Sequence, residues 1–171
     1  MTCLKKQKSW QLNDFTEMID NKEKVVRVLF PNKVLHGRIM GGAFVLRPQR
    51  EETNISVFRV NGPTFANDIQ KLDAGRNLCC SLMGVEEIRS VIISQGMNTI
   101  SCDVIETGLL QSTSHAGIIV SVNGQQLIGG HESEMAIDNE AGGSMDALLL
   151  AMQHRLAAIA QKGLAHVNDF L

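Results

Sequence analysis

"QSTSHAGIIVSVNGQQLIGGHESE", residues 111–134, contains the strongest local fold signal in this 171-residue chain. Its Asn123-Gly124 step lies between two apolar runs. Asn-Gly favours a type I′ turn, because both central residues of that turn need a positive φ. The stretch therefore predicts an antiparallel β-hairpin. A two-residue loop places Val122 opposite Gln125 and sets the register of the whole ribbon.

Polar residues at the two ends of this stretch meet if the hairpin pairing continues. His115 then faces Glu132, and Thr113 faces Glu134, all on one face of the ribbon. A β-bulge at one of the glycines in the stretch would shift this register. The other face is the predicted core side and contains Ala116, Ile118, Val120, Val122 and Leu127.

Several interpretations of this polar end remain open. His115 and Glu132 fit a partly exposed cross-strand pair, worth about 0.2–1 kcal/mol. They also fit a proton-transfer site in which the imidazole and the carboxylate tune each other's pKa. A metal site that adds His131 is disfavoured, since His131 points to the opposite ribbon face, and no metal is expected. A nucleophilic pair of Cys102 and His115 has no supporting signature.

Apolar patterns on either side of the hairpin predict further strands. Another strand is predicted near residues 43–47, after a Gly-Gly step, and would form a hairpin with the strand that follows it. Residues 85–93 fit either a helix or a strand. Runs rich in β-branched and apolar residues predict strands over 24–30, 54–60, 78–83 and 99–106.

Helical spacing of apolar residues is found in three segments. Short helices are predicted within residues 10–21 and 62–75, the second with Thr64 as its N-cap. The clearest helix begins after Ser144 and ends at Gly163. Its broad apolar face suits the core or, alternatively, a partner helix or dimer seam. The apolar stripe of this helix comprises Met145, Leu148, Leu149, Met152, Leu156 and Ile159, and Leu150 broadens it.

Together these patterns predict an α+β fold. A mostly antiparallel sheet carries N-terminal, central and long C-terminal helices packed on it. The length suits a single domain over residues 1–171. Residues 1–9, with the short basic run "KKQK", are predicted to form a flexible tail.

Composition argues against several classes of partner. The formal net charge is −2, so a nucleic-acid partner is not expected. Six Phe, one Trp and no Tyr leave few rings for stacking on bases. No apolar run is long enough for a membrane span, and no export signal is visible. The four cysteines form no CxxC motif, which favours free thiols in a reduced, cytoplasmic protein.

Three short motifs occur in the order found in ADP-ribosyltransferases of the Arg / Ser-Thr-Ser / Glu-x-Glu class. They are Arg27 in a strand, "STS" from Ser112, and "ESE" ending at Glu134. In that class the arginine contacts a phosphate of NAD, the first serine supports the catalytic glutamate, and the glutamate stabilises an oxocarbenium-like state. The motifs predict these roles for Arg27, Ser112 and Glu134, with His115 and Glu132 beside them.

Three longer segments resemble a family of small uncharacterised bacterial proteins. They are "GGAFVLRPQREETNISVFRV", "GVEEIRSV" and "CDVIETGLLQSTSHAGIIV". The matching positions are Ala43-Phe44, Ile55-Ser56-Val57, Arg89 and His115-Ala116-Gly117-Ile118. The resemblance implies a bacterial origin and a compact mixed fold, and it implies no activity.

The sequence therefore leads to two expectations about function. The first is a soluble bacterial accessory or interaction protein that acts with a protein partner, or as a homo-oligomer, through the C-terminal helix. It requires no cofactor. The alternative is an enzyme with its site at the base of the 111–134 hairpin, most specifically an NAD-dependent ADP-ribosyltransferase.

Overall fold

The structure is a computed structural model that describes residues 19–107, 109–137 and 144–171. It has the predicted α+β architecture, with an eight-stranded antiparallel sheet in the order β10-β5-β1-β4-β8-β7-β6 and β9 paired to β8. Its strands are β1 (Lys24–Leu29), β4 (Ile55–Arg59), β5 (Cys79–Gly84), β6 (Ile92–Gln95), β7 (Asn98–Glu106), β8 (His115–Val122), β9 (Gln125–Gln126) and β10 (Leu164–His166). A separate ribbon contains β2 (Val34–Leu35) and β3 (Arg38–Ile39), and the helices are α1 (Phe65–Asp73), α2 (Val85–Arg89) and α3 (Met145–Gln161).

The larger hydrophobic core lies between the sheet and α3. Alternate residues of β7 and β8 point into it, because successive strand side chains point to opposite faces. Ile100, Cys102 and Val104 of β7 are buried there. A smaller core covers the opposite face of β1 and β5, where Phe65 and Ile69 of α1 pack.

Helix α3 confirms the clearest helical prediction. Ser144 is its N-cap, with Oγ accepting a hydrogen bond from the Ala147 amide at 3.5 Å. The exposed side of α3 includes Leu150, which is 52% exposed. Gly163 follows the helix where the chain passes β5. A Cβ there would lie 2.1 Å from the Leu82 carbonyl oxygen, so the close approach requires glycine.

The predicted hairpin turn is present, but its pairing is short. Asn123 and Gly124 have φ values of 50° and 81°, and Val122 pairs with Gln125 as predicted. The paired residues end at Gln126, and one more hydrogen bond joins the Leu127 amide to the Val120 carbonyl at 2.8 Å. Pairing goes no further because β4 occupies the same edge of β8 from Ile118 to His115.

The predicted facing pairs His115–Glu132 and Thr113–Glu134 are therefore wrong. His115 pairs with Phe58 of β4 instead. The turn chemistry determines only the first pairs of the ribbon, whereas the neighbour on the edge of β8 determines where pairing stops.

The predicted strand near 43–47 is also wrong. Residues Gly41–Phe44 form a 3-10 turn, and Ala43 and Phe44 are buried. The carbonyl of Ala43 accepts hydrogen bonds from the Arg27 side chain rather than from a neighbouring strand. Strand β4 consequently has no hairpin partner at 43–47 and pairs with β1 and β8.

Some of the other predictions concern described residues, and others concern residues outside the described ranges. The strands at 24–30, 54–60, 78–83 and 99–106 are confirmed as β1, β4, β5 and β7, and the helix within 62–75 is confirmed as α1. Residues 85–93 contain α2 and the start of β6. The flexible tail over 1–9, and the helix within 10–21 up to residue 18, lie outside the described residues. Within the described ranges, no helix is long and apolar enough to cross a membrane.

Candidate ligand-binding cavity

The candidate site is a split between β1 and β4. Along its other edge, β1 pairs with β5 at all six residues from Lys24 to Leu29. With β4 it forms only two pairs, Val25 with Arg59 and Val26 with Phe58. The two strands then separate, and a cavity of about 860 Å³ opens where three further pairs would have formed. Both strands contribute to its walls.

Arg27 spans this split. Its Nη1 donates to the carbonyl of Ser56 on β4 at 2.5 Å. Its Nε and Nη2 donate to the Ala43 carbonyl at 3.2 and 2.9 Å. The guanidinium therefore satisfies backbone acceptors that strand pairing would otherwise have satisfied. It lies 5.9 Å from the centre of the Phe44 ring and lines the cavity.

The charge of Arg27 is poorly compensated. Among the described residues, no carboxylate lies within ion-pair distance of its guanidinium. Glu52, which acts on Arg27 electrostatically, is held by Arg47, whose backbone amide and Nε donate to it at 2.8 and 2.6 Å. Burial lowers the pKa of Arg27 to about 10, and Glu52 offsets only part of that effect. The group is still a cation at neutral pH, and its hydrogen-bond acceptors in the described part of the chain are neutral carbonyls.

Basic side chains outnumber carboxylates around the cavity by five to two. A concave surface with this excess attracts anions, since low-dielectric walls concentrate the electric field in a cleft. Burial raises the pKa of Glu52, but its hydrogen bonds from Arg47 outweigh that effect, so the pKa is lowered and Glu52 stays ionised. The charged lining residues are Arg27, Lys33, Arg47, Arg50, Lys71, Glu52 and Asp68.

Asp68 forms a different chemical environment at the α1 side of the cavity. One carboxylate oxygen, Oδ2, accepts hydrogen bonds from Thr64 at 2.6 Å, Ser112 at 2.8 Å and Ser114 at 2.5 Å. Burial opposes ionisation of Asp68, which is 8% exposed, but these hydroxyls stabilise the anion and lower its pKa. Its second oxygen, Oδ1, has no protein donor in the described part of the chain. It is accessible, because no buried polar side-chain atom there lacks a partner.

His115 lines the cavity beside this carboxylate. Its ring meets Phe58 edge-on at 5.3 Å. The hydroxyl of Thr107 donates to the His115 carbonyl at 3.1 Å and contacts Nδ1. A hydroxyl has one proton, so it accepts from Nδ1–H and leaves Nε2 as an acceptor. Burial lowers the pKa of His115, with Asp68 partly opposing the shift, so the ring is neutral at pH 7.

The structure brings together three of the five residues that the sequence singled out. Arg27, Ser112 and His115 all line the cavity. Glu132 and Glu134 do not line it and lie on a 3-10 turn, Glu132–Glu134. The Glu132 carboxylate accepts from the Gly130 amide at 3.1 Å, and Glu134 is paired with His131 at 2.9 Å.

The other two candidate sites, a cysteine–histidine pair and a metal site, are not found among the described residues. Cys102 pairs with Val120 in the β7–β8 register, far along β8 from His115, and its side chain lies in the core under α3. Burial raises its thiol pKa to about 12. Within the described residues, no group of three or more His, Cys, Asp or Glu side chains is arranged to hold a metal ion.

Sequence reasoning missed Asp68, the centre of the hydroxyl cluster. Thr64 was assigned as a helix N-cap, and it has that position, but its hydroxyl makes no capping bond and donates to Asp68 instead. The Thr64–Asp68 spacing of one helical turn was visible in the sequence. The contact with Ser112, 44 residues away, was not.

Comparison with protein-family models, with curated proteins and with solved structures finds no match for this chain. The fold and the cavity therefore define the protein only as an α+β protein with a polar, basic cavity in a split sheet.

Proposed function

We propose that this protein binds a small organic anion in the split between β1 and β4. The observation that carries the proposal is Arg27, a partly buried cation that lines the cavity and whose hydrogen-bond partners among the described residues are all neutral carbonyls. Desolvating a cation is costly unless an anion or a strong acceptor compensates it. A ligand carboxylate or phosphate would supply that compensation through the guanidinium N–H groups that remain free.

The size of the cavity and its remaining charges agree with this role. A volume of about 860 Å³ lies within the range of roughly 300–1,000 Å³ typical of small-molecule sites. Lys33, Arg47 and Arg50 add positive charge to the lining of the cavity. Charges of this kind favour anion capture and its rate more than they favour stability.

The proposal keeps Arg27 from the ADP-ribosyltransferase hypothesis as an anion-binding residue. It leaves out Glu132 and Glu134 because neither lines the cavity. The carboxylate that meets Ser112 is Asp68. NAD and transfer of ADP-ribose are therefore not part of the proposed function.

The test compares two arginine-to-lysine variants on neighbouring strands. Arg27→Lys keeps the charge but removes the planar set of donors, and Arg59→Lys is the matched control outside the cavity. Inorganic phosphate and malonate serve as probes in titration calorimetry at low ionic strength. Wild type and Arg59→Lys should bind at least one probe, and Arg27→Lys should bind it at least tenfold more weakly. The proposal fails if both variants bind equally, or if the wild type binds neither of these probes nor any small organic phosphate.

The expected protein-interaction role through α3 remains a prediction. Leu150 and Ala151 lie on the exposed side of the helix, so they are accessible to a partner. These residues are separate from the cavity, and the two roles have separate tests.

A further inference from the structure

The cavity has two chemically opposite ends, and this inference rests on the anion-binding function proposed above. Arg27 supplies donors at one end. At the other end, Asp68 Oδ1 and His115 Nε2 are both acceptors without a protein donor in the described ranges. An anion without hydrogen-bond donors, bound at Arg27, uses the donors at the Arg27 end and leaves the acceptors at the other end unused. A ligand that fills the site also needs hydrogen-bond donors at its far end.

The split in the sheet connects these two ends, which lie on opposite faces. Arg27 alternates along β1 with Val26 and Val28, which pack on the α1 face, and it reaches the carbonyl of Ser56 across the split. His115 lies on the α1 face, where it stacks edge-on against Phe58. Apolar side chains, Leu29, Phe58 and Leu72 among them, also line the cavity and suit a short carbon skeleton.

The charges around Asp68 favour hydroxyl donors over an ammonium group. Lys71 acts on Asp68 electrostatically, and three hydroxyls already stabilise its Oδ2. His115 is neutral at pH 7 because burial lowers its pKa, so it attracts a cation less strongly than a second carboxylate would. The basic excess in the lining also repels an ammonium group.

We infer that the ligand is a polyhydroxylated phosphate or carboxylate of sugar-phosphate size. Its anionic group lies at Arg27, and its hydroxyls donate to Asp68 Oδ1 and His115 Nε2. The ribose phosphate of a mononucleotide carries the same chemistry as a free sugar phosphate. The two sources differ in the base.

Calorimetry with four probes tests the inference on the wild-type chain. The probes are inorganic phosphate, ribose 5-phosphate, adenosine 5′-monophosphate and phosphoethanolamine. Ribose 5-phosphate should bind about tenfold more tightly than inorganic phosphate, since it adds hydrogen bonds to a charged acceptor. Tighter binding of the mononucleotide than of ribose 5-phosphate assigns the ligand to nucleotides and also supports the inference.

Two variants locate the effect within the cavity. Asp68→Asn should bring ribose 5-phosphate binding to within about twofold of inorganic phosphate binding measured on the same variant. Asp73→Asn is the matched control, a buried carboxylate at the other end of α1 that accepts from backbone amides of Asn77 and Leu78. If Asp68→Asn does not fold, His115→Phe removes the other acceptor and keeps the ring contact with Phe58.

The possible results separate this inference from the proposed function. If inorganic phosphate binds but ribose 5-phosphate and the mononucleotide bind no tighter, the inference is overturned and anion binding stands. Tighter binding of phosphoethanolamine than of ribose 5-phosphate overturns the inference in the same way. If none of the four probes binds and malonate does not bind either, the proposed function fails and the inference fails with it.

Discussion

The two ends of the β1–β4 pair contain arginines with opposite environments. At the closed end, Arg59 donates to Glu23 at 2.9 and 3.0 Å and is also paired with Glu106. Hydrogen bonding to Glu23 raises its pKa, despite some opposing desolvation. At the open end, Arg27 has no carboxylate partner within the described residues, and burial lowers its pKa to about 10. The closed end is compensated by carboxylates of the protein, whereas the hydrogen-bond partners of Arg27 among the described residues are neutral carbonyls.

The largest expected effect is a difference in stability between Arg59→Met and Arg27→Met without ligand. Arg59→Met leaves two partly buried carboxylates unpaired and should cost about 3 kcal/mol of unfolding free energy. Arg27→Met loses bonds to two carbonyls but also removes a desolvated cation, so it should cost at most about 1 kcal/mol. Urea unfolding monitored by circular dichroism measures both. An equal loss in the two variants would contradict the comparison.

The second-largest expected effect is a dependence of the unfolding free energy on pH, which arises from a histidine at the open end. Burial lowers the folded-state pKa of His115 below its value in the unfolded chain. The unfolded state therefore binds more protons, and stability is complete above the unfolded pKa near 6.5. The unfolding free energy should decline as the pH falls from about 6.5 through the lower pKa of the folded state. His115→Phe should remove this part of the pH dependence.

His131 serves as an internal control for that experiment. Its pairing with Glu134 raises its folded pKa, so its contribution is present below the unfolded value and is lost as pH rises through the folded value. In a histidine NMR titration, His115 should titrate below about 6.5 and His131 above it. The reverse order would show that His115 is not enclosed as described.

The third effect concerns the reactivity of cysteine thiols on β5, the strand that stays fully paired with β1 at the open end. Cys80 lies opposite Val28 there, and burial raises its thiol pKa to about 12. Cys80 and Cys102 should therefore react with iodoacetamide far more slowly in the folded protein than in urea. Cys79 is partly exposed and serves as the reference thiol. Rapid labelling of Cys80 under native conditions would show that the split extends to β5. Mass spectrometry of digested protein measures the labelling at each position.

Local patterns were sufficient to predict most elements of this fold. The positive φ values at Asn123 and Gly124, the alternation in β7 and the period of α3 are all properties of neighbouring residues. The order of strands is not such a property. The placement of β4 against β8 ends the hairpin pairing and moves His115 away from Glu132. Nothing in residues 111–134 encodes that competitor.

The cavity was predictable only in part, for the same reason. Arg27 and Ser112 match two of the short ADP-ribosyltransferase motifs, and His115 belongs to the polar end of the predicted hairpin. Their meeting with Asp68 depends on contacts across 44 to 46 residues. Predicting the split would have required predicting residues 45–54 as an irregular loop. Val45 and Leu46 in this loop are apolar, as residues of strands often are.

The smallest expected effect is at Leu150, on a helix that packs against the face of the sheet remote from α1. Leu150 is 52% exposed, so Leu150→Lys should change the unfolding free energy by no more than about 0.5 kcal/mol. It should also leave phosphate binding unchanged, since Leu150 does not line the cavity. If α3 forms a homo-oligomer seam, the same substitution lowers the mass measured by light scattering. Leu148→Lys is the contrasting variant, because Leu148 is 1% exposed and a lysine there should unfold the chain. A Leu150→Lys protein that unfolds would show that this side of α3 is covered by the protein's own chain.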